Sequence, residues 1–181
     1  PLRLRHRYVI RDTAELNFLK NRTVREDDSL HNVEEDLRLL RFLDIGSTKA
    51  YPLDFLPTVE ERQSAEQWIK ERKLEGRMLI GMHPGASAFK NHGRKRWSEA
   101  SFGALIDSLS AGLKGCCFLL FGGAEEGELR RTILASLHDG KRVEIVESLS
   151  VRQAAALMMR CGLFVSNDSG PMHMAAAAGA P

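Results

Sequence analysis

Leu163-Phe164-Val165-Ser166-Asn167-Asp168-Ser169-Gly170-Pro171-Met172-His173 reads as a strand that stops abruptly and hands over to a helix. Leu163 to Val165 is a short apolar run of the kind buried on both faces of a sheet. Pro171 suits the first helical position, because the N–H it lacks is one that a helix start leaves unbonded in any case. Ser169 or Gly170 suits the cap, and the predicted helix runs on to about Ala178. An apolar strand that turns through polar residues into a helix is one repeat of an α/β fold.

The same pattern recurs upstream. Met78 to Met82 is a strand that ends in His83-Pro84-Gly85-Ala86-Ser87, and a helix follows from about Ser98. In that helix Phe102, Leu105, Ile106 and Leu109 keep the spacing i, i+3, i+4, i+7. Cys116 to Phe121 is a continuous apolar strand, then come Gly122-Gly123 and a helix bearing Leu129, Ile133 and Leu137. Val143 to Val146 is a further strand. Ser150 with Gln153 forms a capping box that opens a helix through Met159, and Thr58 with Glu61 forms another that opens a helix to about Lys73. Apolar strands alternating with amphipathic helices predict an α/β, Rossmann-like parallel sheet with helices on both faces. Right-handed crossovers bring residues 83–97, 122–126, 147–150 and 166–173 to one edge, at the carboxyl ends of the strands, where open α/β sheets bind ligands.

Residues 1 to about 57 have a different texture: highly charged, with few glycines and little strand pattern. One helix is expected from about His31 to Leu43, with Val33, Leu37 and Leu40 on one face, followed by a turn and an extended connector from Gly46 to Pro57. The expected organisation is therefore a partial N-terminal segment, 1–57, and an α/β domain, 58–181. The chain opens on Pro1 and stops on Pro181 straight after a helix, so both ends read as cut and the second domain as incomplete.

Composition narrows the function. With 43% hydrophobic and 28% charged residues of mixed sign, the 181-residue chain is neither a disordered tail nor a fibrous protein. It has no apolar run of membrane-spanning length. A net charge of +2 argues against a dedicated nucleic-acid binder. Cys116, Cys117 and Cys161 lie in or beside apolar strands without CxxC spacing, so core thiols in a cytoplasmic protein are expected.

Three clusters could carry chemistry. In the loop after the first apolar strand, Gly85 permits close backbone approach, Ser87 offers a hydroxyl and Lys95 a point charge, with Lys90, His92, Arg94 and Arg96 alongside; these suit a phosphate, although a solvated turn has the same composition. At the helix start of Ser169-Gly170-Pro171, unbonded N–H groups and the positive helix end suit an anion, and Asp168 suits sugar hydroxyls; plain helix capping by Asp168 and Ser169 is the competing reading. His173 could touch a ligand or merely pack. After Gly122-Gly123, an acid of the pair Glu125-Glu126 could hold ribose hydroxyls or complement the helix dipole, and the run is not GxGxxG. His83, His92 and His173 lack the spacing of a zinc site, and there is neither a P-loop nor a GxSxG elbow.

In order and spacing, the HPGAS run at 83–87, Lys95-Arg96-Trp97, Phe121-Gly122-Gly123 with its following acids, and the NDSGPMH run at 167–173 resemble glycosyltransferase family 9, the heptosyltransferases, over about residues 76–181. The resemblance implies the C-terminal domain of a GT-B fold, with two Rossmann-like domains facing across a cleft. It implies an inverting transfer of heptose from ADP-heptose to the lipopolysaccharide inner core, requiring no cofactor or metal. The basic segments at 1–11 and 90–96 suit a peripheral approach of a cytoplasmic enzyme to anionic lipid at the inner membrane, or merely a solvated face. Carried over residue by residue, Ser87 and Lys95 would contact the donor diphosphate, and Glu126, preferred over Glu125, the ribose. Asp168 and the Ser169, Gly170, Pro171, Met172 and His173 helix start would face the diphosphate and sugar. The catalytic base of the family is an acid of the N-terminal domain with no counterpart in residues 1–57, so this chain alone is expected to be inactive. Another GT-B enzyme, a UDP-sugar transferase or an epimerase, and a non-catalytic nucleotide-binding module are the alternatives.

Overall fold

Two strands set the frame because their side chains alternate between two cores. The computed structural model describes the backbone of Leu4–Arg7 and Arg22–Arg25 and the whole of residues 27–46, 53–86 and 96–181. Within the last two ranges, β3 (Met78–His83) pairs in parallel with β4 (Cys116–Leu120), with Leu79 opposite Cys117 and Ile80 opposite Phe118. Leu79, Cys117, Leu119 and Phe121 point into one apolar cluster; Ile80, Met82, Cys116, Phe118 and Leu120 point into the other. This period of two, with both faces apolar, is what a strand covered by helices on each side requires.

The sheet is completed by β5 (Val143–Ile145) outside β4 and β6 (Cys161–Ser166) outside β3, giving the all-parallel order β5-β4-β3-β6. On the face of Phe118 lie α3 (Glu99–Gly112) and α4 (Gly127–Ser136), through Phe102, Ile106 and Ile133. On the other lie α2 (Val59–Glu71), α5 (Val151–Met158) and α6 (Gly170–Ala177), through Trp68, Ile69, Leu157, Met158 and Ala175. The expected Rossmann-like arrangement of a parallel sheet with helices on both faces is the observed one. Cys116, Cys117 and Cys161 are buried and free, and burial pushes the thiols of Cys117 and Cys161 up to about 11 and about 12.

Local sequence accounts for most boundaries. Thr58 and Glu61 exchange bonds at the start of α2, as do Ser150 and Gln153 at the start of α5, and the Ser98 hydroxyl accepts the Ser101 N–H at the start of α3. β6 begins two residues earlier than its apolar run. Gly162 and Leu163 are exposed there, because β6 is the edge strand. Gly81 of β3 has a steric reason: a Cβ there would run into the Phe164 ring, which packs at a tilt of 57° against Phe121, 5.4 Å between centroids.

The chain divides into two compact units, Pro1–Pro52 and Leu53–Pro181. The first departs from its expected texture. It holds two parallel strands, β1 (Leu4–Arg7) and β2 (Arg22–Arg25), where little strand pattern was legible; four-residue strands half made of arginine carry no apolar alternation to read. Its expected single helix is α1 (Asn32–Arg38), followed by a 3-10 turn over Leu39–Leu43. Val33, expected on a covered face, is exposed, and Glu35 is buried and paired with Arg38. Among the described residues no helix is long and apolar enough to cross a membrane.

Phe118 is fully buried between α3 and α4. Phe118→Ala is expected to cost about 3–5 kcal/mol, the usual range for an uncompensated aromatic cavity, measured as a fall in the urea midpoint with unchanged slope.

Candidate functional site

β3 lies beside β6 with His83 opposite Ser166, so the loops leaving both strands start together. Asn167, just past β6, is buried, and its amide joins them. The Asn167 Nδ2 donates to the Pro84 carbonyl at 2.7 Å, and its Oδ1 accepts the Trp97 N–H at 2.9 Å. One side chain thus joins Pro84 just past β3, the entry to α3 and the approach to α6. Arg96, next in line, donates to the Ala86 carbonyl.

The end of β4 is held by a buried cation. Arg130, on α4, donates to the carbonyls of Gly122 at 2.9 Å, Gly123 at 3.1 Å and Val146 at 2.9 Å. Its Nε finds no hydrogen-bond partner among the described residues. The guanidinium satisfies three carbonyls that the sheet has left behind, so it ties the loop after β4 to the loop after β5.

These loops enclose two adjoining clefts. One, of about 470 Å³, is lined by His83, Ala86, Gly123, Glu125, Glu126, Asp168, Ser169, Gly170, Pro171 and His173. The second, of about 210 Å³, is largely apolar, with Phe121, Val146, Leu149, Val151, Ala154, Met158 and Met174 in its wall. Glu126, His83, Gly123 and Pro171 line both. A polar chamber beside a narrow apolar slot is suited to a ligand with a charged part and a flat hydrophobic part.

Glu126 sits at the junction. Its Oε2 accepts the Gly123 N–H at 2.8 Å and lies 3.4 Å from His83 Nε2. The imidazole contact first, then the Gly123 N–H and the charge of Arg96, hold the carboxyl below the ordinary carboxylate range against the opposing effect of burial. The carboxylate packs over Gly85, where any Cβ would overlap it, which is why this loop takes glycine here. Glu125 lines the same cleft but is exposed.

Ser169 is the N-cap of α6 by position, yet its side chain makes no capping bond. Its hydroxyl instead meets the Asn167 carbonyl at 3.1 Å, Ser166 Oγ at 3.2 Å and His83 Nδ1 at 3.3 Å. With Pro171 in the first turn, the N–H groups of this helix start are left toward the larger cleft without a side-chain cap, unlike those of α2, α3 and α5.

The residues expected from sequence therefore fall as follows. Glu126, Asp168, Ser169, Gly170, Pro171 and His173 line the larger cleft together. Met172 lines neither cleft, while Met174 lines the apolar one. Ser87 and Lys95 lie outside the described residues, as do Lys90, His92 and Arg94. Three contributors were not singled out by sequence: His83, Asn167 and Arg130. The signal for Arg130 was weak, since Arg131 stands next to it in the sequence and only its spacing of three from Ile133 placed Arg130, rather than Arg131, on the covered side. Among the described residues no three His, Cys, Asp or Glu side chains cluster as a metal site would require.

Comparison with known proteins gives a consistent family. A family model described as glycosyltransferase family 9 (heptosyltransferase) matches residues 5–181. The lipooligosaccharide heptosyltransferase 2 of Haemophilus influenzae is 33% identical over 131 residues, which are 68% of this chain and 36% of that protein. A glycosyl transferase family 9 structure from Veillonella parvula superposes with a TM-score of 0.74 at 26% identity, covering 90% of this chain and 45% of its own. The Escherichia coli ADP-heptose lps heptosyltransferase II gives a TM-score of 0.68 at 26% identity, covering 100% of this chain and 54% of its own. The chain thus spans about a third to half of the length of these relatives.

Two outcomes check the site's construction. Arg130→Met strands three carbonyls and is expected to cost about 1.5–3 kcal/mol in urea unfolding, the range for hydrogen bonds to a charged group. The Glu126 pKa is lowered on folding, so its carboxylate stabilises the fold above the ordinary value of 4.5, and that contribution is lost as pH falls through the folded value. The stability gap between the native protein and Glu126→Gln, measured by urea titrations from neutral to acid pH, should therefore close on the acid side.

Proposed function

Because this chain belongs to glycosyltransferase family 9, we propose that it is the nucleotide-sugar side of an inverting heptosyltransferase, binding ADP-heptose for transfer of heptose to the lipopolysaccharide inner core. The observation that carries the reading is the junction of the two clefts, where an uncapped helix start, a carboxylate and an apolar slot stand side by side. Each suits one part of an ADP-sugar. N–H groups and the positive end of α6 suit the diphosphate, Glu126 suits the ribose diol, and the slot between Phe121, Leu149 and Met158 suits a purine.

Sugar transfer leaves negative charge on the departing diphosphate. In this reading that charge develops against Gly170 and Pro171 at the start of α6, and Ser87 and Lys95 would contact the same diphosphate, which is electrostatic stabilisation of the leaving group. Asp168 and His173 line the same cleft and would meet the heptose. Domain 58–181 is the donor domain, and residues 1–57 belong to the acceptor-side domain and its linker. The base that takes the acceptor proton belongs to that acceptor-side domain. The reaction is assigned to the cytoplasm, at the membrane's inner face, where a lipopolysaccharide precursor is reached.

Calorimetric titration tests this. The chain is expected to bind ADP, and ADP-heptose at least as well, with UDP and GDP at least tenfold weaker, while showing no heptose transfer by itself. Glu126→Gln is expected to weaken ADP binding by about tenfold, the scale of one lost charge-assisted hydrogen bond. A folded chain that ignores ADP, or prefers UDP, would sink the reading.

A further inference from the structure

His83 is the last residue of β3, almost fully buried at 4% exposure, and the donor reading above gives it no task. Its ring is nonetheless placed between the two halves of the cleft. The Nε2 stands 3.4 Å from Glu126 Oε2, and Nδ1 stands 3.3 Å from Ser169 Oγ. His83 is therefore the side chain that touches both the carboxylate after β4 and the cap residue of α6, which lie 43 positions apart in the chain.

We infer that His83 is a positioning residue for ribose recognition: wedged against Ser169, its imidazole holds the Glu126 carboxylate where it can take a ribose 2′-hydroxyl, and so sets the preference for ribonucleotide over deoxyribonucleotide donors. This rests on Glu126 being the ribose-side group.

The geometry favours a specific role over general packing. A glutamate has three side-chain torsions to restrain, and the main-chain N–H of Gly123 fixes one oxygen of Glu126 from one direction only. His83 supplies the second direction, and Gly85 leaves the space that the carboxylate then fills. The imidazole is itself held by Ser169 Oγ at 3.3 Å, whose proton is available to it because the Asn167 carbonyl takes the Ser166 hydroxyl at 2.7 Å. With Nε2 carrying the hydrogen toward the carboxylate, Nδ1 accepts from the Ser169 hydroxyl, so the neutral ring is satisfied at both nitrogens. Among the described residues, Arg96, Glu125, Asp168 and His173 are the other charged or titratable groups around this cleft.

Asn and Gln separate the two contacts, because a glutamine amide reaches the Nε2 position of histidine and an asparagine amide the Nδ1 position. Binding of ADP and 2′-deoxy-ADP to the full chain is measured by calorimetry, with thermal melts confirming that each variant is folded. The native chain is expected to favour ADP by tenfold or more. His83→Gln, which keeps a donor toward Glu126, should retain that preference within about twofold. His83→Asn should lose at least fivefold of it while binding 2′-deoxy-ADP as before. If His83→Asn does not fold, Ser169→Ala removes the wedge instead and should lower the preference at least twofold. A full preference in His83→Asn or Ser169→Ala, alongside its loss in Glu126→Gln, overturns the role of His83 and leaves the donor reading standing. Equal weakening of both nucleotides in His83→Asn and His83→Gln would show general support of the cleft and overturns it as well. A native chain that binds neither nucleotide overturns the donor reading and this inference together.

Discussion

The parallel pairing of β3 with β6 is the constraint on which the site depends. It sets His83 opposite Ser166 and so brings together two loops that are 83 residues apart, Pro84 and Asn167. Once those strands are neighbours, the Asn167 amide can bridge Pro84 and Trp97, and the Ser169 hydroxyl can reach the imidazole of His83. A crossover that placed β6 elsewhere in the sheet would leave the same residues with no common cleft. The pairing is secured from below, where Gly81 admits the Phe164 ring against β3 and Phe121 covers it.

Polar groups are buried at this edge for geometry more than for stability. Asn167 and Arg130 are both nearly inaccessible, and each spends its hydrogen bonds on main-chain groups of loops. Burying them is tolerable because those bonds replace water, and the return is two loops with little freedom left. The opposite trade is made at α6. Its cap residue directs its hydroxyl to His83 and Asn167 and leaves the helix start uncapped, forgoing about 1 kcal/mol that a side-chain cap contributes elsewhere. Loops tied by buried hydrogen bonds around an uncapped helix end are what the diphosphate of the proposed donor would require.

Local signals were legible where a short stretch of chain decides the outcome. The capping boxes at Thr58 and Ser150, the apolar run from Cys116 and the proline at the start of α6 each name their element directly. The reading weakened where outcomes depend on partners. The Leu4–Arg7 and Arg22–Arg25 strands are too short and too basic to show alternation, and each is a strand because the other lies beside it. Val33 is exposed where a covered face was expected, and Glu35 is buried, since one apolar stripe on a seven-residue helix does not determine which side is covered.

By itself, then, the sequence determined the α/β alternation, the convergence of its loops on one sheet edge, and the motifs by which the chain belongs to its family. Those properties follow from periodicity and from residue types that act on their immediate neighbours. Only the tertiary structure decided that His83 stands between Glu126 and Ser169, that Arg130 ties the loops after β4 and β5, and that the Ser169 hydroxyl faces away from its own helix. A hydrogen bond depends on distance and direction to within a fraction of an ångström. Between residues tens of positions apart, that geometry exists only once the sheet has chosen its strand order.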